Sequence, residues 1–303
     1  MDNQKKYQNS VLNKIRKAFF LLYIITLVVS LPAIYFITYN QVHSEANKEL
    51  DLMVDMVKSI QNYIRQDVRD DLLKLELFHS PAISGSTTIT KIARHLAELK
   101  PNYYLKLASD NPLNTKNQAV SIEKELLARY RNDSQLNSLI GTGTIQGRDY
   151  LLSTRPLKSA TSCMLCHGDP NKAPSTITKE YGKTHGFGYK PNTIVGLNVA
   201  GVPLKDINAL VLQRALIAIG IFTIIFTIIF LTINQLSKKI IIEPLAAITE
   251  TAIAISQGEL DKKINIGNDD SEIGALSQAF ELMQRSLLYA IKRMDKNPDD
   301  NAQ

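Results

Sequence analysis

The sequence predicts an α+β domain placed between two transmembrane helices and followed by a short all-α module. Three observations support this: two long uncharged apolar runs, a set of short strand patterns between them, and two heptad-patterned segments after the second run. The chain has 303 residues, 45% apolar and 21% charged, which excludes a disordered chain. Although the net charge is +6, no segment concentrates basic residues as a nucleic-acid groove would.

The two apolar runs, residues 18–39 and 215–233, contain no charged side chain. A helix needs roughly 20 apolar residues to cross the hydrocarbon layer, so each run predicts a transmembrane helix. A buried core helix is disfavoured because the runs are apolar on all faces. The first run is also too long for a signal peptide, and no small-residue cleavage site follows it, so we expect an uncleaved anchor.

The charges that flank these runs predict the orientation of the chain. Five basic residues precede the first run, and Lys238 and Lys239 follow the second. The positive-inside rule then predicts a protein of a bacterial inner (plasma) membrane, with both termini in the cytoplasm and residues 40–214 in the periplasm. The expected segments are a tail (1–17), the first span (18–39), the periplasmic domain (40–214), the second span (215–233), an all-α module (234–288) and a tail (289–303).

Between the spans, apolar patterns predict a helix followed by short strands. An apolar stripe at three- and four-residue spacing from Leu50 to Leu75 indicates an amphipathic helix, with the stripe in a core or a dimer seam. Two further helices are expected at 89–99 and 121–130. Strands are expected at 103–107, 142–146, 150–154 and 193–202. This order is typical of an α+β sensor-type domain with a small antiparallel sheet.

The sequence CMLCH at 163–167 is the strongest chemical signal in the chain. Two thiols at this spacing, Cys163 and Cys166, can each add to a vinyl group of one haem, and the adjacent His167 is then an axial iron ligand. A zinc site would need further ligands at zinc-finger spacing, which the sequence does not offer. A CxxC redox pair would not require the histidine, and a disulfide across two residues would be strained. The pattern therefore favours one covalent haem c per chain.

The second axial position of such a haem has several candidates. His185 follows the CMLCH sequence by 18 residues within a glycine-rich loop, although an ordinary surface histidine is an equal interpretation. The other candidates are His79, His95, Met53 and Met56, whereas His43 lies too near the membrane. A position open to water or gas is a further alternative. Arg155 and Lys190 are candidates to pair with the haem propionates, although each is also typical of a surface charge.

Several segments around the CMLCH sequence resemble one known family. They are residues 104–114, 150–156, 163–170, 173–174, 181–182, 186–190 and 195–203. Together they are similar, over about residues 45–205, to the cyanobacterial-type c-haem sensor domain, which has a PAS-like fold and was formerly a domain of unknown function. The resemblance implies that Cys163 and Cys166 carry the haem, that His167 is an axial ligand, and that the role is redox or gas sensing. Some members use an upstream cysteine as the other ligand, but this chain has no third cysteine.

After the second span, two heptad-patterned segments are joined by a connector at 256–271. Their apolar positions are Ile241, Leu245, Ile248, Ala252 and Ile255, and then Ile273, Leu276, Phe280, Met283 and Leu287. Such short helices cannot bury their seams alone, which predicts a parallel four-helix bundle from two chains. Residues 234–288 resemble a HAMP signal-relay domain, through the sequences at 243–245, 258–260 and 270–274. This resemblance implies a homodimer that passes a conformational signal.

The sequence thus predicts a membrane-anchored haem c sensor of redox state or gas, which signals through HAMP to a separate cytoplasmic protein of kinase, cyclase or chemotaxis type. We expect an output partner because only 15 residues follow the HAMP-like segment and no enzyme motif is present. The chain itself is therefore not expected to be an enzyme. The alternative is a membrane-tethered c-type cytochrome for electron transfer, in which the HAMP bundle only dimerises the protein.

Overall fold

A computed structural model describes residues 2–75, 79–133, 135–262 and 271–296. The chain forms two compact units: Tyr35–Leu216, and a second unit that combines Met1–Ile34 with Ile217–Gln303. Part of the predicted HAMP connector (263–270), including the Asp270 of its second motif, lies outside the described residues. The last part of the predicted C-terminal tail (297–303) does so as well.

The Tyr35–Leu216 unit contains a four-stranded antiparallel sheet with the strand order β1-β4-β3-β2. The strands are β1 (Tyr104–Ala108), β2 (Leu139–Ile145), β3 (Arg148–Lys158) and β4 (Ile194–Pro203). Hydrogen-bonded registers such as Leu105 with Ala200 and Leu151 with Val202 place β4 between β1 and β3. The sequence prediction of an α+β domain with a small antiparallel sheet is therefore confirmed.

Helices surround this sheet and follow it. They are α1 (Asp2–Tyr63), α2 (Arg69–Lys74), α3 (Ser80–Ile83), α4 (Gly85–Leu99), α5 (Ser121–Asn132), α6 (Met164–His167), α7 (Ser175–Tyr181), α8 (Leu204–Ser237), α9 (Glu243–Ser256) and α10 (Glu272–Lys296). A π-helical turn, Ile64–Val68, separates α1 from α2, and a second one, Lys238–Ile242, precedes α9. The predicted stripe helix from Leu50 to Leu75 is thus interrupted, and Leu75 is exposed.

Two apolar clusters cover the sheet. One joins Leu151 and Ala200 to α1 and to the start of α8, through Val42, Ala46, Leu50, Val54, Ile207 and Val211. The other packs Leu127 and Tyr130 of α5 on Leu152 and Val199. The predicted stripe therefore contributes to the core of this unit, because Leu50 and Val57 are buried.

The second cluster lies beside a fully buried carboxylate, Glu123 of α5. Its oxygens accept hydrogen bonds from Tyr104 Oη (2.6 Å), Lys106 Nζ (2.8 Å) and Val120 N (2.9 Å). Burial, together with the negative charge of Glu123, raises the pKa of Tyr104, so this hydroxyl stays a donor. The hydrogen bonds of the Glu123 carboxylate therefore anchor the start of α5 to β1.

Replacing Lys106 with methionine is expected to lower the free energy of unfolding by about 3 kcal/mol, because it leaves Glu123 buried without its cation. The matched control is Lys124→Met on the exposed face of α5, which should change stability by less than about 0.5 kcal/mol. Urea unfolding of the full chain in detergent, followed by tyrosine fluorescence, provides the comparison. Equal midpoints for the two variants would contradict this account of Glu123.

The secondary-structure elements of the second unit are helices in the part of the chain that the structure describes. Tyr23 Oη and Thr223 Oγ1 lie 3.0 Å apart, and the Tyr23 ring contacts Phe226 at 4.7 Å between centroids. Farther along the chain, Gln284 of α10 donates hydrogen bonds to the carbonyl oxygens of Leu260 and Lys262. Two helical stretches of the chain, Leu12–Lys74 and Leu204–Ser256, are long and apolar enough to cross a membrane.

Candidate functional site

The CMLCH sequence lies between β3 and α7, on a 3₁₀ turn (Thr161–Cys163) followed by α6. The backbone N–H of Ala160 donates to Cys163 Sγ at 3.3 Å, which orients the first thiol. Because α6 is a single helical turn, Cys166 lies close to Cys163. Both cysteines are free thiols, and both line one cavity.

His167 is held in one orientation by two contacts. Its Nδ1 lies 2.7 Å from the carbonyl oxygen of Gly186, and its ring stacks on Tyr189 with 4.8 Å between centroids and 4° between planes. Since a carbonyl only accepts, Nδ1 carries the proton and Nε2 keeps its lone pair. Burial also lowers the pKa of His167, which favours the neutral ring that a metal requires.

The loop that carries Gly186 is fixed by Asn111. Asn111 Oδ1 accepts from Gly186 N (2.8 Å), and Asn111 Nδ2 donates to the carbonyl of Phe187 (3.1 Å). The Tyr189 hydroxyl donates to the carbonyl of Asn111 at 2.5 Å. The same residue therefore supports both groups that contact the His167 ring.

Gly186 has no tolerance for a side chain. Its φ of +79° is in the left-handed region, and a Cβ atom there would lie 2.5 Å from Leu113 Cγ and 2.6 Å from Leu113 N. Only glycine permits this close approach of the loop to the Leu113 backbone. The Gly186 carbonyl is thus positioned for His167 by backbone geometry.

The cavity has a volume of about 540 Å³ and is lined by Cys163, Cys166 and His167 together with residues of α1, α2, α4, α7 and the sheet. Five cationic side chains line it: Lys58, Arg65, Arg69, Arg155 and Lys158. No aspartate or glutamate is among the described residues of its wall. A cavity of this charge suits a ligand that carries carboxylates.

Arg155 extends from β3 into this wall. Its Nη2 lies 3.2 Å from Asp51 Oδ1 and 3.7 Å from Asp55 Oδ1, whereas its Nη1 is buried with no hydrogen-bond partner. Beside it, the amides of Gln61 and Asn198 hydrogen-bond reciprocally at 3.0 Å. The unpaired Nη1 is a donor that a ligand carboxylate can satisfy.

The thiol of Cys166 stays protonated at neutral pH. Burial raises its pKa, and the nearby charge of Arg69 opposes that rise only in part. Among the described residues, no group of three or more His, Cys, Asp or Glu side chains is arranged to hold a metal ion. Cys163, Cys166 and His167 line the same cavity, and the imidazole is the one group of the three whose neutral nitrogen is free to bind a metal.

The structure does not bring the other predicted ligands to this cavity. His185 is exposed although it adjoins Gly186, and His95 is exposed beside Glu98 at 3.2 Å. Met53 packs against the α1 core cluster, and Met56 is exposed. Neither His79 nor Lys190 is part of the cavity wall. The second axial ligand stays a prediction, and the geometry gives no support to His185.

Sequence reasoning missed the residues that support the site. Asn111, Leu113 and Tyr189 were noticed only as parts of segments that resemble a family, without roles. Arg65 and Arg69 were not identified, because cations on an amphipathic helix are the ordinary surface pattern. The turn-rich sequence around Asn111 and the glycines of the 182–188 loop were the available signals for the support of His167.

Comparison with known proteins agrees with this layout. A family model described as Tll0287-like matches residues 39–203, and a HAMP domain model matches residues 236–288. The crystal structure of the cyanobacterial heme-protein Tll0287 is similar over 53% of this chain and 91% of that chain, with 16% identity and a TM-score of 0.38. No curated protein sequence matches. A domain of this kind joined to HAMP is a membrane signalling architecture, and because the first match covers more than half of its residues, the chain belongs to the Tll0287-like family.

Proposed function

We propose that the Tyr35–Leu216 unit binds one haem covalently through Cys163 and Cys166, with His167 as an axial ligand, and senses redox state or a small iron ligand. The observation that carries this proposal is the hydrogen bond from His167 Nδ1 to the Gly186 carbonyl. It leaves Nε2 as the donor atom, in the arrangement that metal-binding histidines usually have. Both thiols line the same cavity as this ring.

Attachment needs no oxidant. Cys163 and Cys166 would each add across one vinyl double bond of the haem: the sulfur would form a carbon–sulfur bond, and the thiol proton would go to the neighbouring vinyl carbon. The buried Arg155 Nη1 is the best-placed donor for one propionate. When bound, the haem supplies a one-electron couple and a metal position for a small ligand.

The chain from His167 to α8 provides a route by which a change at the site can reach the membrane helix. The loop that carries the Gly186 carbonyl leads into β4, which pairs with β1 on one side and with β3 on the other, and α8 follows β4 directly. Ser109 ties the start of this route to β1, since its Oγ donates to the Val195 carbonyl at 2.6 Å. We infer that the sensed change is passed along β4 to α8.

We further propose that HAMP pairs two copies of the chain and passes the signal to a cytoplasmic protein of kinase, cyclase or chemotaxis type. Several predicted seam residues remain exposed in the single chain, among them Leu276 (45%), Met283 (55%) and Leu287 (43%). An apolar row of this kind needs a second helix pair to cover it. The basic residues that flank the two spans support cytoplasmic termini and a periplasmic haem domain.

The test of haem attachment is a pair of cysteine variants. Cys163→Ser with Cys166→Ser is expected to abolish haem staining of the full chain after denaturing electrophoresis, because no thiol remains to form a thioether. Met164→Leu, which changes the residue between the cysteines, is the control and should stain as wild type. A wild-type chain without stain, or without c-type bands in reduced-minus-oxidised spectra, would refute the proposal.

A tethered electron-transfer cytochrome is the rival function, and coupling to HAMP separates the two. Cysteine pairs placed at Leu276 and Leu287 should crosslink between copies at different rates in oxidised and reduced protein if the domain is a sensor. Equal rates, combined with fast electron exchange with an external partner, would favour the cytochrome.

A further inference from the structure

Two arginines on one wall of the cavity have only neutral partners. Arg65 lies in the π-helical turn after α1, and its Nη2 donates to Asn62 Oδ1 at 2.8 Å. Arg69 begins α2, donates from Nε to the Ile83 carbonyl at 2.8 Å, and reaches Ser162 Oγ at 3.4 Å. Neither forms an ion pair with any carboxylate among the residues that the structure describes.

The charge of the cavity exceeds what a haem brings. The wall has five cations, and the two carboxylates that contact Arg155, Asp51 and Asp55, reduce this to a net charge of +3. A haem carries two propionates, so positive charge remains after both are paired. Guanidinium groups stay protonated at any working pH, so the excess positive charge does not depend on pH. Each also presents several N–H donors in a fixed geometry, which favours hydrogen bonds to a ligand from defined directions.

Apart from Cys163, Cys166 and His167, the described residues of the cavity wall include no histidine, methionine or cysteine that could serve as a second iron ligand. Lys58, Gln61, Asn62 and Leu73 are among the wall residues from the same part of the chain as Arg65 and Arg69. A π-helical turn at this point is notable, because such turns recur at ligand sites.

We propose that this cavity accepts a small inorganic anion as the second ligand of the haem iron, and that Arg65 and Arg69 attract and retain it. The inference rests on the proposed haem function. It names the class of stimulus: a monovalent anion with a donor atom for ferric iron, as opposed to a neutral gas. Charge and N–H donors in a cavity wall without carboxylates among its described residues favour such an anion over a neutral molecule of equal size.

The experiment uses the full chain in detergent, with its haem, and sodium azide as the probe at constant ionic strength. Azide is expected to shift the Soret band of the ferric protein in a saturable way. Arg65→Gln and Arg69→Gln should each raise the azide dissociation constant about tenfold, the effect of one nearby charge. The affinity of the ferrous protein for carbon monoxide, a neutral ligand, should change by less than about threefold. Lys124→Gln, an exposed position on α5, controls for net charge.

The outcomes separate the two proposals. A chain that carries no haem refutes the proposed function and this inference together. A chain with c-type haem bands that azide does not shift keeps the function and refutes the inference. Variants that bind azide as the wild type does, but have an altered reduction potential, would assign the arginines to the propionates and also overturn it.

Discussion

Replacing His167 with glycine is expected to abolish the wild-type absorption spectrum of the haem, and added imidazole is expected to restore it. The Nε2 atom is the only imidazole donor in the described wall of the cavity, so its removal leaves the iron without its nitrogen ligand. Free imidazole can occupy the vacated volume beside Tyr189, where the native ring stacks. Spectra of oxidised and reduced protein, recorded during an imidazole titration, measure both effects.

His185→Gly is the matched control, because this histidine is exposed and outside the cavity. Its spectrum should equal that of the wild type with no imidazole added. If His185→Gly loses the wild-type spectrum, the second axial ligand is His185, and the loop must move when haem binds. If His167→Gly retains the wild-type spectrum, His167 is not a ligand.

Replacing Gly186 with alanine is expected to displace the loop that holds His167 and to weaken the binding of haem iron by His167 at least tenfold, seen as loss of the wild-type absorption spectrum. The new Cβ would lie 2.6 Å from Leu113 N, a backbone atom that cannot swing aside as a side chain can. The residue also has φ of +79°, which costs an alanine roughly 1 kcal/mol even without a clash. The loss of a correctly placed partner on a metal-binding histidine typically weakens metal binding 10–100-fold.

Gly188→Ala separates the clash from the backbone strain. Gly188 has nearly the same φ, +76°, but a Cβ there meets no atom within 4 Å. This variant should lose only about 1 kcal/mol of stability and keep the wild-type absorption spectrum. The fraction of haem with the wild-type spectrum and the urea midpoint, measured for both variants, provide the comparison. Equal losses would show that the approach to Leu113 does not position His167.

The long elements of the fold were readable from the sequence. The strands predicted at 103–107, 150–154 and 193–202 match β1, β3 and β4 to within a few residues at their ends. They could be predicted because alternating apolar residues indicate which side of a strand is buried. The π-turn at Ile64–Val68 and the short helices α3, α6 and α7 were not predicted. One or two turns contain too few residues to show a period, and a π-turn depends on packing.

The candidate site divides in the same way. The sequence predicts Cys163, Cys166 and His167 as site residues because the chemistry expected of them depends on spacing within a single turn. The structure places all three in the wall of one cavity, and their role in haem attachment stays a prediction. The partners of His167 were not found. Gly186 lies 19 residues after His167, and Asn111 lies 75 residues before Gly186. Hydrogen bonds over such separations depend on how β1, β3 and β4 meet. His185, the candidate that the sequence suggests, is next to Gly186 in the chain. The Gly186 carbonyl contacts His167, whereas the His185 side chain is exposed.

By itself, the sequence determined the order of parts: an apolar run long enough to span a membrane, an α+β domain with the CMLCH sequence, a second such apolar run and a HAMP domain. These parts are recognised from local composition and from the spacing of apolar residues, which can be read without knowing any tertiary contact. Only the tertiary structure decided which nitrogen of His167 is free and that Arg65 and Arg69 enter the cavity without carboxylate partners. Both depend on which distant segments become neighbours when the sheet forms, since hydrogen bonds and uncompensated charge are set by proximity in space.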